Sequence, residues 1–364
     1  MDGLDAQLWL PFAGLAAGIV LGYAARVSRF CTLSALERYW YAGDGTGLRT
    51  WVLAAAAALV ATQAMAFAGL VEPSRSFYLS PAFGLSGAIG GGLLFGFGMA
   101  LVGTCGFGAV IRLGGGSLRS LVVLTALGLA ALATQRGILG KARILLVDDM
   151  ALDLSFAGDQ SLGSLASALI GLDLRLPVAA AAAAAMLFWV FKDRAYRGKG
   201  RQILAGTGIG FVIAFGWLAT TFAAGHAFGP VQIEAGSFVV PVGDTILQMI
   251  TFTGDLPDYG VGLVVGTLAG AALGAWRHQE VRWEACDDAR ELGRHLLGGT
   301  LMGVGGVAAM GCTIGQGVSA VSVLALSAPI VMISIVVGAK MGLGWLLEGS
   351  PLAPFRSHPK LPAE

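Results

Sequence analysis

The sequence predicts an all-α polytopic membrane protein built as a duplicated repeat, and three observations carry that prediction. Hydrophobic residues are 56% of the 364 and charged residues 12%, with a mean hydropathy of +0.76. Soluble domains carry about 25% charged residues, so this composition belongs in lipid. The second observation is the stretch from Gly90 to Arg119, which is apolar yet crowded with glycine: twelve of the thirty residues from Gly87 to Gly116. Glycine weakens a helix by roughly 1 kcal/mol relative to alanine. It is useful where helices touch closely or where the backbone breaks to line a cavity. The third is that this stretch recurs. At an offset of 207 residues, Gly91, Gly92, Leu94, Gly96, Gly98, Cys105 and Gly108 meet Gly298, Gly299, Leu301, Gly303, Gly305, Cys312 and Gly315. Those are seven identities in eighteen, where this composition gives about two by chance.

At about 20 residues per crossing, the chain has room for roughly eight to ten membrane segments in one unit. Leu8 to Val27 is the first, with Gly14, Gly18 and Gly22 forming a small-residue packing face. The acidic start, Met1-Asp2-Gly3-Leu4-Asp5, lacks the basic region of a cleaved signal, so this run is expected to be retained. Ser28 to Leu36 is too polar for lipid and too apolar for a free loop, and reads as a short re-entrant helix. Thr50 to Leu70 is the second span. Pro73 and Pro81 precede the glycine-rich segment Gly84 to Arg112, and Ser117 to Thr134 follows as a span.

Between 136 and 176 the pattern is broken: Ile138 to Val147 is short, and Ser161 to Leu172 reads as an interfacial helix. Pro177 to Phe191 is a span. Lys192 to Arg201 then holds five basic residues and one acid, the signature of a cytoplasmic loop. Ile203 to Thr220 and Tyr259 to Trp276 are spans. The stretch between them carries Glu234, Asp244, Asp255 and Asp258 and is expected on the opposite, outer side. Phe222 to Val240 is expected to re-enter as the counterpart of the Cys31 segment, with Gly225-His226 where a cysteine would stand. Arg277 to His295 reads as a mixed-charge helix, Leu296 to Met310 as the second glycine-rich segment, and Ser319 to Gly338 as the last span, kinked at Pro329. The repeats are then approximately 8–135 and 203–340, within a single transport domain covering 1–364. An inverted relation is expected, as is common in transporters.

Four cysteines are present, Cys31, Cys105, Cys286 and Cys312, without CxxC or zinc spacing. A lone cysteine in a span is ordinarily a small buried hydrophobe. Three of these, however, lie where a helix is interrupted, two of them at duplicated positions, which points to a line of thiols along a path. A thiol is a weak S–H donor and a soft, polarisable acceptor, suited to meeting another sulfur. Burial keeps it neutral and inert. No lysine or arginine stands at the centre of the glycine-rich segments, so the attraction for an anion must come from backbone N–H groups at helix starts. Gly106 supplies such a group, and Thr104, Thr313, Gln316 and Ser34 add neutral polar atoms.

Arg29 and Arg112 stand two and seven residues from Cys31 and Cys105. They read either as snorkelling side chains at the membrane edge or as a ring that draws anions to a mouth. His226 reads either as a filter residue or as a loop histidine. Cys286, in Glu284-Ala285-Cys286-Asp287-Asp288, belongs to a charged surface. Gly114 to Ser117 lacks the GK[ST] of a phosphate-binding loop, so no ATP-driven pump is expected. No cofactor, metal or catalytic set is expected either, and a net charge of +1 gives no basic surface for nucleic acid.

SRFCTLSALE around Cys31, GFGMALVGTCGFGAVIRLGGGSL around Cys105 and GCTIGQGVSA around Cys312 resemble the YeeE/YedE sulphur-transport family across essentially the whole chain. The resemblance implies uptake of thiosulfate across the bacterial inner membrane. It also implies an hourglass of about nine membrane helices with short re-entrant helices in an inverted arrangement. By motif it puts Cys31, Cys105 and Cys312 on the central path, Cys105 nearest the anion on the outer side. It further implies a small cytoplasmic sulfur carrier of the TusA type, supplied separately, since the chain ends soon after its last span. The alternatives are transport of a selenium compound or another sulfur oxyanion, or a membrane sulfurtransferase that forms a cysteine persulfide.

Overall fold

The structure, a computed structural model, describes residues 3–251 and 257–352, with backbone alone for 3–7. Met1, Asp2 and Asp255 lie outside the described residues. Among the described residues fifteen α-helices follow in order. The first six are α1 (Gly3–Ser28), α2 (Thr32–Ala42), α3 (Thr46–Phe67), α4 (Leu85–Val102), α5 (Gly106–Gly114) and α6 (Leu118–Gln135). Four less regular ones are α7 (Gly140–Arg143), α8 (Leu162–Ile170), α9 (Arg175–Phe191) and α10 (Arg194–Arg197). The last five are α11 (Gly200–His226), α12 (Val240–Ile250), α13 (Tyr259–Arg277), α14 (Ala289–Ala308) and α15 (Ser327–Glu348). Among the described residues the only sheet pairs β1 (Ala82–Phe83) with β2 (Leu152–Asp153), clipping the 136–161 connection to the loop before α4. Seven helical segments are long and apolar enough to cross a membrane: Leu8–Ala42, Thr46–Phe67, Leu85–Gly114, Leu118–Gln135, Gly200–His226, Tyr259–Arg277 and Ser327–Glu348. This is a multi-pass membrane protein.

Glycine decides which helices touch. Along α1, a Cβ at Gly18 would strike the Leu263 carbonyl of α13, and one at Gly266 would strike Leu15 of α1. The two helices therefore run parallel at backbone contact, the small-residue packing read from the sequence. α3 and α11 repeat this, with the Cβ position of Gly210 2.5 Å from the Ala54 carbonyl. α4 packs parallel to α15 and α6 parallel to α14 by the same means. The two duplicated glycine helices, α4 and α14, cross antiparallel. The Cβ position of Gly91 is 2.6 Å from the Gly305 carbonyl, and that of Gly98 is 2.5 Å from Gly298. Where these helices meet, Phe95, Phe107, Trp217 and Phe238 are fully buried.

Several expected boundaries move, each for a local reason. The mixed-charge stretch from Arg277 to His295 is not one helix. α13 ends at Arg277 and α14 restarts at Ala289, because Asp288 accepts the Glu291 N–H at 2.7 Å while Glu291 accepts the Asp287 N–H at 2.8 Å. That reciprocal pair is a capping box, which starts a helix where it stands. The last span begins at Ser327, after a turn at Leu324 with φ 56°, so Pro329 falls in the first turn, where its missing N–H has no helical partner to lose. Residues 227–239 form neither helix nor strand, with α11 running on to His226 and helix resuming only at Val240.

Candidate functional site

The three candidate thiols share one local construction. Two residues before each stands a residue with left-handed backbone: Arg29 at φ 55°, Gly103 at φ 79° and Met310 at φ 57°. Each ends a helix, and the chain behind it turns back on that helix: Phe30 N–H reaches Ala25 O at 2.9 Å, and Gly311 N–H reaches Gly306 O at 2.8 Å. The cysteine then opens the next helix. Its carbonyl accepts from Ala35 at 3.0 Å, Ala109 at 2.8 Å and Gln316 at 2.8 Å for Cys31, Cys105 and Cys312 respectively. Cys31 and Cys105 are the N-cap residues of α2 and α5. After Cys312 the new helix opens into a π-helical stretch, Gly315–Ala320. Each break thus aims unpaired backbone N–H groups at the space beside a thiol, the arrangement that attracts anions.

Cys105 and Cys312 are fully buried and Cys31 partly so. The Cys105 sulfur accepts the Gly108 N–H at 3.5 Å and the Cys312 sulfur accepts the Gly315 N–H at 3.4 Å. Cys31 Sγ lies 4.0 Å from Thr104 Oγ1. Cys105 lies within electrostatic reach of both other thiols, and the Thr313 hydroxyl stands beside it. Cys312 lies beside the Ser237 hydroxyl and the Phe238 N–H.

The Cys31 end opens into a cavity of about 720 Å³. Ser34, Thr104 and Gly108 line its floor, and among the described residues seven arginines and three glutamates line its walls. Arg29 and Arg112 both belong to it, so they form part of a charged mouth. Arg26 and Arg29 pair with Glu280 at 3.4 and 3.7 Å, and Arg119 pairs with Glu284 at 3.0 Å and Glu291 at 2.8 Å. The Glu291 carboxyl, outside the membrane segment, is pulled down to about 2 by the Asp287 N–H and by Arg119.

Gln316 departs from its expected place. Its amide donates to the Ala309 and Met310 carbonyls at 2.8 and 3.2 Å, and its oxygen accepts from the Ser327 hydroxyl at 3.1 Å. With those groups engaged it fastens the break before Cys312 and has no donor left for an anion. Gly106, by contrast, is the first residue of α5, its Cα close to the Phe238 carbonyl. His226 is exposed, bonded to Phe222 O at 2.8 Å and stacked on that ring, away from the thiols. Asp244 pairs with Arg136 at 3.5 Å, as suits a residue near an outer surface. Glu234 turns inward, its carboxyl against Gly260 of α13. Two residues were missed: Ser237, which faces Cys312, and Tyr78, fully buried beside Gly315. The start of α12 at Val240-Pro241 was legible as a helix N-terminus, and the residues just before it are where a partner for Cys312 could have been sought.

A thiosulfate transporter, TsuA, of Spirochaeta thermophila is 27% identical over 347 residues, covering 92% of this chain and 98% of that protein. TsuA of Escherichia coli, also named a thiosulfate transporter, is 25% identical over 352 residues, covering 93% and 95%. The model of the sulphur transport family matches residues 27–341, which include all three breaks, and the chain belongs to that family.

Proposed function

We propose that this chain imports thiosulfate across the bacterial inner membrane along a path lined by Cys31, Cys105 and Cys312. The observation that carries this reading is the threefold repetition of one construction, left-handed residue, cysteine, helix start, with Cys105 within electrostatic reach of both other thiols. Backbone N–H groups hold the anion's charge without a lysine or arginine, while neutral thiols meet its terminal sulfur through transient S–H···S contacts. The basic mouth at the Cys31 end and the Lys192–Arg201 loop support a cytoplasmic position for that end.

Taking Arg175–Phe191 and the glycine-rich part of α14, residues 296–308, as crossings beside the seven long spans gives nine, with the first residues outside and the last inside. In that topology α1–α6 and α11–α15 are inverted repeats. The parallel pairs α1/α13 and α3/α11, the pairs α4/α15 and α6/α14, and the antiparallel crossing of α4 with α14 are what such symmetry requires. A small acidic-faced carrier protein of the TusA type would meet the arginine-lined mouth and take sulfur from beside Cys31. The direct test is growth on thiosulfate as sole sulfur source of a bacterium without its own importers. Growth with this chain and none with the empty vector supports the reading. Failure to grow, with the protein present in the membrane and a carrier supplied, overturns it.

A further inference from the structure

We infer that Tyr78 and Ser237, with Cys312, form an outer subsite that holds the oxygen end of a tetrahedral sulfur oxyanion. This rests on the transport reading above and adds the residues that orient the anion as it enters. Tyr78 is 2% exposed, and its hydroxyl makes no hydrogen bond within 3.5 Å, with the Ser237 hydroxyl beside it. A buried phenol ordinarily finds one, so this donor is held ready for something that arrives. Its position is fixed. Ser76 accepts the Tyr78 N–H at 3.3 Å, and the ring packs on Phe77 at 4.0 Å and edge-on to Trp217 at 6.2 Å. Trp217 is itself pinned through Nε1 to Ser322 at 2.9 Å.

The hydroxyl points at the glycine that follows Cys312. A Cβ on Gly315 would lie 2.7 Å from Tyr78 Oη and 3.2 Å from Ser237 Oγ, and the Gly315 N–H is the group that reaches the Cys312 sulfur. With no side chain at 315, two hydroxyls, a backbone N–H and a thiol thus converge on one glycine. Oxygen atoms of a sulfur oxyanion accept O–H and N–H bonds, whereas a terminal sulfur is a poor acceptor better matched to a thiol. The subsite therefore takes the oxygens at Tyr78 and Ser237 and turns the sulfur toward Cys312 and Cys105.

There is a way in. A second cavity, of about 460 Å³, is lined by Ser74 to Phe77, Ser80 and Val231 to Ile233, the same two stretches that carry Tyr78 and Ser237. Arg75 stands in it, paired with Glu72 at 3.4 Å. Glu234 is the acid within electrostatic reach of Tyr78, and it sets a limit on how tightly a dianion is held there.

The test is uptake of radiolabelled thiosulfate by cells that lack other importers and carry equal membrane amounts of the wild-type chain, Tyr78→Phe or Ser237→Ala. Tyr78→Phe keeps the ring and its packing, so it removes a donor and nothing else. The expected result is a KM raised ~10-fold or more by Tyr78→Phe and several-fold by Ser237→Ala, with the maximal rate little changed. Unchanged KM in both variants, or a fall in maximal rate alone, overturns the subsite while leaving thiosulfate import standing. If the wild-type chain takes up no thiosulfate, the transport reading falls. The subsite is then decided by thermal stabilisation of the purified chain by thiosulfate and by sulfate. Stabilisation lost in Tyr78→Phe upholds it, and no stabilisation of the wild type by either anion overturns it.

Discussion

The breaks at Cys105 and Cys312 are the same sentence written twice, yet their surroundings differ. Both cysteines accept the N–H of a glycine three residues on, at 3.5 and 3.4 Å, and both follow a glycine helix that ends in left-handed backbone. Around Cys105 the neighbours are the Thr104 hydroxyl and the Cys31 thiol, at a basic mouth. Around Cys312 they are the hydroxyls of Ser237 and Tyr78, away from that mouth. The two breaks share the scaffold that presents N–H groups and differ in the side chains around it. In the transport reading proposed above, a thiol suits the end where sulfur leaves, and hydroxyls suit the end where an oxyanion is first held by its oxygens.

The comparison is broken most severely at its shared glycines. Gly108→Ala puts a methyl on the Thr104 hydroxyl, and Gly315→Ala puts one 2.7 Å from the Tyr78 hydroxyl. Overpacking of this kind costs about 1–3 kcal/mol, and here it also fills the space beside the thiol. Both variants are expected to lose uptake ~10-fold or more at equal membrane amounts; normal uptake by either would show that its break is not on the path. Next in size is the fastening residue. Gln316→Ala strands the Ser327 hydroxyl and two carbonyls, at about 1–3 kcal/mol for each buried group left unpaired. Thermal unfolding in detergent should fall by several degrees; an unchanged midpoint would mean that the clasp contributes nothing.

A smaller effect sharpens the comparison. Ser237→Cys gives the outer end a thiol like Cys31, and a several-fold rise in KM for thiosulfate is expected, with sulfate competing less well than before. An unchanged KM would say that the two ends are chemically interchangeable. The smallest effect is in the mouth. Because the folded Glu291 carboxyl titrates at about 2 and an unperturbed one near 4.3, its stabilising contribution is present above about pH 4.3 and lost as pH falls toward 2. Glu291→Gln should flatten the acid limb of a stability-against-pH curve while leaving neutral uptake intact, and an unaltered acid limb would refute the pairing with Arg119.

The spans and the breaks were legible because lipid leaves few alternatives: hydropathy marks crossings, and glycine with a polar residue inside an apolar run marks an interruption. The cysteine positions followed from the duplication of GxxxxxxC contexts around Cys105 and Cys312. What escaped was decided by side-chain partners. Gln316 looked like a path residue because it is polar beside Cys312, and only the folded chain reveals that Ala309, Met310 and Ser327 engage it. Ser237 was passed over in favour of Gly225-His226 because the search was for a cysteine or its polar stand-in near the end of a helix, whereas α11 runs through His226. The helix expected from Arg277 to His295 ignored Asp288-x-x-Glu291, a capping signature readable without a structure.

The account rests on Cys105, the thiol within electrostatic reach of both others. The decisive measurement is the initial rate of radiolabelled thiosulfate uptake by the wild-type chain and by Cys105→Ala, in cells without other importers and at matched membrane amounts. A wild-type rate well above the empty vector, with Cys105→Ala at the vector's level, is the predicted result. Uptake by Cys105→Ala at the wild-type rate would contradict the thiol-lined path and leave Cys105 as packing alone.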